Sequence, residues 1–196
     1  MKLPKIMRFT AILATVLVVS ACGDRQPETQ VSEAKSQVSS SPTTVTKAAL
    51  DTEKFNAFVK NIQGAVLIKS SVIANSNEAH IEFYESYDNF KTANIDSKLS
   101  KDDFNNFWAT DDAINKVLME EPIILLKEFP DLQNVSMSLS YQDKTYFVNA
   151  DRSTVEDYLN VKLASMDHVV WTDKVVNKFF TKDERLKYSR KFIKIS

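Results

Sequence analysis

Hydrophobic residues beyond position 50 recur with two different periods, and the two periods predict a series of helices and strands. Apolar positions from Phe55 to Ile62 have helical spacing, and Gly64 follows as a natural stop. Further helices are predicted to begin at Ser100 and Thr110, where acidic residues precede a helical apolar pattern. Pro122 should break or restart the second of these helices, because proline lacks an amide donor and clashes with the preceding turn.

A first β-hairpin is predicted between residues 65 and 85, where two apolar stretches flank the turn sequence Asn75-Ser76-Asn77. In its first strand, Val66, Ile68 and Val72 are expected to share one face. In its second strand an apolar pair alternates with a polar set, namely Ile81 and Phe83 against Glu78, His80, Glu82 and Tyr84.

A second β-hairpin is predicted between residues 135 and 150, because apolar residues alternate with serines on its first strand and recur at every second position on the return strand. Met137, Leu139 and Val148 are expected to be buried, and Ser136, Ser138 and Ser140 are expected to face outwards. The two apolar sets share a face if Tyr141 pairs with Tyr146, which requires a four-residue turn from Gln142 to Thr145. A two-residue turn at Asp143-Lys144 lacks the glycine that such turns favour. Phe147 is then expected on the opposite face, where a helix or a partner protein must cover it.

These elements predict an α+β domain. Its core would be one antiparallel sheet of about four strands from the two hairpins, with helices packed mainly on one face. A capping box from Ser153 to Glu156 predicts a helix after the second hairpin, and Thr181 offers a similar start for the basic C-terminal segment.

The first 21 residues have the layout of a secretory signal peptide. A basic start is followed by an apolar stretch from Ala11 to Val19, which is too short to span a bilayer. The order Val19-Ser20-Ala21-Cys22 resembles the lipobox of bacterial lipoproteins, with valine where leucine is commoner. The resemblance implies cleavage before Cys22, thioether lipidation of Cys22 with fatty-acid chains such as palmitate, and a membrane-anchored protein that faces the periplasm. In lipoproteins of many Gram-negative bacteria, an acidic residue directly after the lipidated cysteine favours retention in the inner membrane. Gly23 holds that position here, so the resemblance implies a preference for the outer membrane over the inner membrane.

Residues 22–47 are interpreted as the lipidated cysteine and a flexible tether. The tether is rich in Ser, Thr, Gln and Glu and has no aromatic residue, so it cannot bury enough apolar surface to fold. A flexible coil of about 25 residues has a root-mean-square reach of roughly 25–30 Å. Residues 48–196 remain as a single globular domain of ordinary size.

The composition excludes several classes of function. The chain has two glycines, Gly23 and Gly64, whereas phosphate-binding loops need several at fixed spacing. Without the three basic residues of the signal peptide, 22 basic residues face 26 acidic ones, a net charge of −4 that is poorly suited to nucleic acid. Cys22 is the single cysteine, so its lipidation leaves no thiol for catalysis or a disulfide. No cofactor and no nucleotide is predicted.

Few residues suggest chemistry. His80 and Glu82 share a predicted sheet face and are weak metal-ligand candidates, although polar residues on the wet face of a hairpin are the ordinary case. Three acidic pairs are explained by helix starts or by a solvated face: Asp102-Asp103, Asp111-Asp112 and Glu120-Glu121. No Gly-x-Ser-x-Gly motif occurs. The candidates for contact with a partner are Phe147 and three residues of the basic C-terminal segment, Arg185, Arg190 and Lys191.

The sequence therefore favours a non-catalytic, lipid-anchored envelope domain that binds another protein. It would serve an envelope assembly as an accessory or neutralise a toxin that reaches the periplasm. The alternative is an envelope hydrolase or small-ligand carrier whose site combines residues distant in sequence. A purely structural role also stays open.

The lipid anchor is directly testable through Cys22. We expect Cys22→Ser to abolish metabolic labelling by a fatty-acid analogue and to release a soluble or signal-uncleaved form, because the acylated thiol is gone. Ser20→Ala, which keeps small residues before the cysteine, serves as the control and should label normally. Unchanged labelling of Cys22→Ser would contradict the lipobox assignment.

Overall fold

The structure, a computed structural model, describes residues 50–196 of the chain. The predicted signal peptide, Cys22 and the whole predicted tether lie outside these residues. The described part begins with α1 (Thr52–Val59) and continues with β1 (Ile68–Ala74), β2 (Glu78–Phe83), α2 (Tyr87–Ala93), α3 (Lys101–Phe107), α4 (Asp111–Glu128), β3 (Asn134–Tyr141), β4 (Lys144–Asp151), α5 (Arg152–Leu159), α6 (His168–Trp171), α7 (Asn177–Phe179), α8 (Lys182–Phe192) and β5 (Ile193–Ile195).

The fold is α+β, as predicted, but the sheet differs from the prediction in two ways. It has five strands in the order β1-β2-β3-β4-β5, and not about four. The fifth strand is the C-terminal segment, which pairs antiparallel to β4 with Val148 opposite Ile193. The two predicted hairpins lie side by side with β2 parallel to β3, so the sheet is mixed and not wholly antiparallel. Alternation within each strand cannot reveal this pairing between hairpins.

One face of the sheet is buried and the other is open. The buried face carries the apolar residues of three strands, all of them at most 5% exposed: Ala79, Ile81, Phe83, Val135, Met137, Leu139, Tyr146, Val148 and Ala150. The helix α4 contacts β3 and β4 on that side, while α1 contacts β1. The predicted burial of Met137, Leu139 and Val148 is therefore confirmed.

The predicted register of the second hairpin is wrong by two residues. Leu139 lies opposite Tyr146, and Tyr141 lies opposite Lys144. The connection is the two-residue turn Gln142-Asp143, in which both residues have positive φ angles of 50° and 59°. This is the backbone of a hairpin turn that matches strand twist, here built without glycine. A shift of two residues keeps each side chain on the same face, so the predicted faces survive.

In β1 the predicted apolar face is wrong. Val66 lies in a 3₁₀ turn before the strand and is exposed, and Val72 is 53% exposed on the open face. The register with β2 shifts between Ile68 and Ser70, which is a β-bulge. Because a bulge adds one residue, it exchanges the two faces beyond it, and Ile73 points to the core side instead of Val72.

Pro122 lies inside the continuous helix α4, so the predicted break is wrong. A proline within a helix costs about 3 kcal/mol, since it removes one hydrogen bond and crowds the preceding turn. Burying each large apolar side chain contributes about 1.5–3 kcal/mol. Six such residues of α4, on both sides of Pro122, are fully buried, and their burial outweighs the local defect: Val117, Leu118, Met119, Ile123, Leu125 and Leu126.

Helix caps explain most of the helix starts. Ser100, Thr110 and Thr181 each accept a hydrogen bond from the first turn, as predicted. The predicted capping box at Ser153 is wrong, because α5 begins earlier with Asp151 as its cap. The helix α2 was not predicted, although Ser86 caps it with a hydrogen bond from the Asn89 amide.

The acidic pair in the middle of α4 does not lie on a solvated face. Glu120 and Glu121 are 7% and 6% exposed. Burial raises the pKa of Glu121 to about 7; the neighbouring Glu120 adds to the rise, while the Gln63 backbone amide and Lys116 oppose it. A carboxyl group in this position is stable in its neutral form and costs free energy when it ionises.

Glu121 therefore predicts a stability that falls with rising pH. The folded pKa lies above the ordinary 4.5, so the contribution is complete below about pH 4.5 and is lost as the pH rises through about 7. We expect Glu121→Gln to stabilise the domain by about 3 kcal/mol at pH 8 and by nothing at pH 4.5, measured by urea unfolding. Asn56→Gln, an exposed substitution on α1 that changes no titratable group, is the control, and its effect should not vary with pH. A pH-independent effect of Glu121→Gln would contradict the assignment.

Candidate functional site on the open face of the sheet

The pairing of the strands arranges the open face into rows that cross the sheet. The row that we name the Phe147 row takes one residue from every strand, in the order Ser70, Glu82, Ser138, Phe147 and Lys194. The adjacent His80 row contains Val72, His80, Ser136 and Asn149. The predicted candidates Phe147, His80 and Glu82 thus lie on one surface, although two different hairpins supply them. Sequence alternation indicated the face of each residue but not that the hairpins are adjacent.

Phe147 differs from the other phenylalanines of the described residues. Eleven phenylalanines lie in residues 50–196, and ten of them are in the core or packed against it. Phe147 is the exception: it is half-buried on the open face, between Ser138 and Lys194 of the neighbouring strands. The prediction that Phe147 lies opposite the core face is confirmed. Covering such a side chain on binding removes apolar surface from water.

A shallow concavity of about 270 Å³ lies between Phe147 and the β1–β2 hairpin. Its floor includes the small residues Ser136 and Ser138, and its far side includes His80 and Glu82. Adjacent strands are about 4.8 Å apart, so Phe147 and Glu82, two strands apart, lie about 10 Å from each other. The serines leave room that larger residues at these positions would fill.

His80 joins the two hairpins through a hydrogen bond between its Nδ1 and Ser136 Oγ, at 2.5 Å. On its other side, His80 Nε2 lies 3.8 Å from Glu78 Oε2. The His80–Ser136 contact explains why Ser136 is only 6% exposed. The serine lies on the open face, as the sequence predicted, but the His80 ring shields it from solvent. The ring therefore acts as a cover over the serine in the centre of the face.

The His80–Ser136 contact brings together a hydroxyl, an imidazole and a carboxylate, which are the groups of a nucleophilic triad. The 3.8 Å separation from Glu78 is, however, longer than a hydrogen bond. Ser136 lies in the middle of β3 with a paired strand on each side, so the ladders engage the neighbouring amides. An oxyanion hole needs free donors directed at the reacting carbonyl, and a central strand does not provide them.

The metal candidates His80 and Glu82 form hydrogen bonds to different neighbours, His80 to Ser136 and Glu82 to Lys69 and Ser70. Glu82 Oε1 accepts from Lys69 Nζ at 2.9 Å, and Glu82 Oε2 accepts from Ser70 Oγ at 3.3 Å. Within residues 50–196, no group of three His, Cys, Asp or Glu side chains is arranged to hold a metal ion.

Arg185, a predicted partner contact, is largely buried between two helices and does not lie on an open surface. Its side chain is 12% exposed, and its guanidinium group donates two parallel hydrogen bonds to Asp112, from Nε to Oδ1 at 2.9 Å and from Nη2 to Oδ2 at 2.8 Å. It also donates to Glu120 at 3.1 Å. Hydrogen bonding to Arg185 lowers the pKa of Asp112, whereas burial raises that of Glu120 despite the pair. Arg185 joins α8 to α4.

Arg190 and Lys191 are exposed on α8, as the prediction of a partner contact requires. Lys191 Nζ lies 5.4 Å from the ring centre of Tyr158 and 5.0 Å from that of Phe192, within the range of a cation–π interaction. Their role in binding stays a prediction.

The described helices are each too short or too polar to cross a bilayer. Cys22 and the preceding signal lie outside the described residues, so the lipid anchor also stays a prediction. Comparison with known proteins gave no match to a family model, to a curated protein or to a solved structure. The arguments for function therefore depend on the site itself.

The contacts of Arg185 predict a structural and not a binding role. We expect Arg185→Met to lower the free energy of unfolding by about 3 kcal/mol, because Asp112 and the buried Glu120 lose their counter-charge. Arg190→Met, on the exposed side of the same helix, is the matched control and should change it by less than about 0.5 kcal/mol. Urea unfolding measures both variants. Equal stabilities of the two would show that the Arg185 network does not hold α8 in place.

Proposed function

We propose that the protein is a lipid-anchored bacterial envelope protein whose folded domain binds another protein through the open face of its sheet. In this proposal Cys22 holds the protein in the membrane, preferably the outer membrane. The tether lets the domain move within reach of its partner. The domain acts as an accessory of an envelope assembly or as a neutraliser of an incoming toxin.

The observation that carries the proposal is the position of Phe147. A phenylalanine outside the core, half-buried on the open face of the sheet, leaves apolar surface in water that a partner can cover. Val72, at 53% exposure, adds a second apolar side chain on the β1 side of the same face. Aromatic anchors with polar surroundings are typical of the centre of a protein interface.

The runner-up is an envelope hydrolase, and the observation that favours it is the hydrogen bond between His80 and Ser136. The open setting, the distance to Glu78 and the lack of oxyanion donors beside Ser136 argue against this alternative. This site supports a small-ligand carrier less well, because the concavity is shallow, whereas ligand pockets enclose most of their ligand.

Capture from solubilised envelopes, with the full lipidated protein as bait, tests the proposal. We expect Phe147→Ser to reduce capture of the specific partner by about tenfold or more, since truncating an interface anchor costs about 2 kcal/mol or more and about 1.4 kcal/mol corresponds to a factor of ten. The unfolding temperature should hardly change, because Phe147 is not part of the core.

Val169→Ser is the matched control for this experiment. Val169 is 75% exposed in α6 and belongs to no strand of the sheet, so the variant should capture the partner as well as the wild type does. Undiminished capture by Phe147→Ser would contradict the proposed interface. A large loss of stability in Phe147→Ser would show that the residue belongs to the core.

A further inference from the structure

The concavity on the open face has a different chemical group at each end. At one end is the aromatic ring of Phe147, and at the other is the carboxylate of Glu82, with the hydroxyl groups of Ser136 and Ser138 between them. A side chain that lies across Ser138 would therefore meet an apolar surface first and a negative charge second.

The carboxylate of Glu82 has acceptor capacity left. Each carboxylate oxygen can accept about two hydrogen bonds, and the structure gives one bond to each, from Lys69 and from Ser70. The pair of Glu82 with Lys69 is a surface contact, with 39% of the Glu82 side chain and 43% of the Lys69 side chain exposed. Such a pair contributes little free energy, so an incoming cation can share or replace it.

We infer that this concavity binds an arginine side chain of the protein partner. The inference rests on the proposed function and specifies the chemistry of the partner's central contact. The arginine stem would lie against Phe147, and the guanidinium donors would reach Glu82 and the hydroxyl group of Ser138.

Arginine fits this arrangement better than the other charged side chains. Its apolar stem can pack against an aromatic ring while its planar guanidinium group forms two parallel hydrogen bonds to a carboxylate, whereas lysine offers a compact and strongly hydrated charge. An acidic side chain would meet the like charge of Glu82. The long apolar stem of arginine also suits the roughly 10 Å between the Phe147 and Glu82 strands.

The test is an NMR titration of the ¹⁵N-labelled chain from Gly23 to Ser196 with blocked arginine, the N-acetyl methylamide. We expect saturable shifts of the amides of Glu82, Ser138 and Phe147, and binding weaker by about fivefold or more for blocked citrulline, which has the same shape without the charge. Shifts of equal size with citrulline, or no shifts at these amides, would overturn the inference.

Glu82→Gln should weaken blocked-arginine binding by about fivefold. Glu85→Gln is the matched control, because Glu85 also faces Lys69, at 4.0 Å, but does not line the concavity. If Glu82→Gln and Glu85→Gln bind equally, the arginine site is wrong. Partner capture separates this inference from the proposed function: capture that Phe147→Ser abolishes but Glu82→Gln leaves intact overturns the arginine contact and keeps the interface.

Discussion

The burial of α4 beneath the sheet is the constraint on which the rest of the structure depends. Ten residues of this helix are buried, including Pro122 in its middle and the two carboxylates Glu120 and Glu121. The packing is strong enough to keep a proline and a carboxyl group of raised pKa inside one continuous helix. Because α4 covers β3 and β4 from one side, it also decides which face of the sheet is left open.

The same helix organises the C-terminal part of the site. Arg185 of α8 donates to Asp112 and Glu120 of α4, and α8 runs directly into β5. This connection brings Lys194 beside Phe147, although the two residues are far apart in sequence. Arg185, which the sequence favours as a partner contact, thus forms its contacts inside the fold. By holding α8 against α4, it helps to place β5 at the edge of the sheet next to the candidate interface.

The faces of the strands could be predicted from sequence, whereas their neighbours could not. The side-chain period of two correctly predicted that Phe147 lies on the other face of the sheet from Met137 and Val148. The predicted register was wrong by two residues, but an even shift preserves the face. The bulge in β1 defeated the same rule at Val72. The parallel pairing of β2 with β3 and the burial of Glu121 depend on contacts between distant segments, which no local pattern contains. For the same reason the His80–Ser136 contact could not be predicted from either hairpin alone.

The central claim is that the open face around Phe147 is where the partner binds, and crosslinking in living cells tests it most directly. A photoreactive benzoylphenylalanine would replace Phe147 in one strain and the exposed Val169 of α6 in another. The account predicts a crosslinked product of one defined mass from position 147 and none from position 169. Equal products from both positions, or a product from position 169 alone, would contradict it.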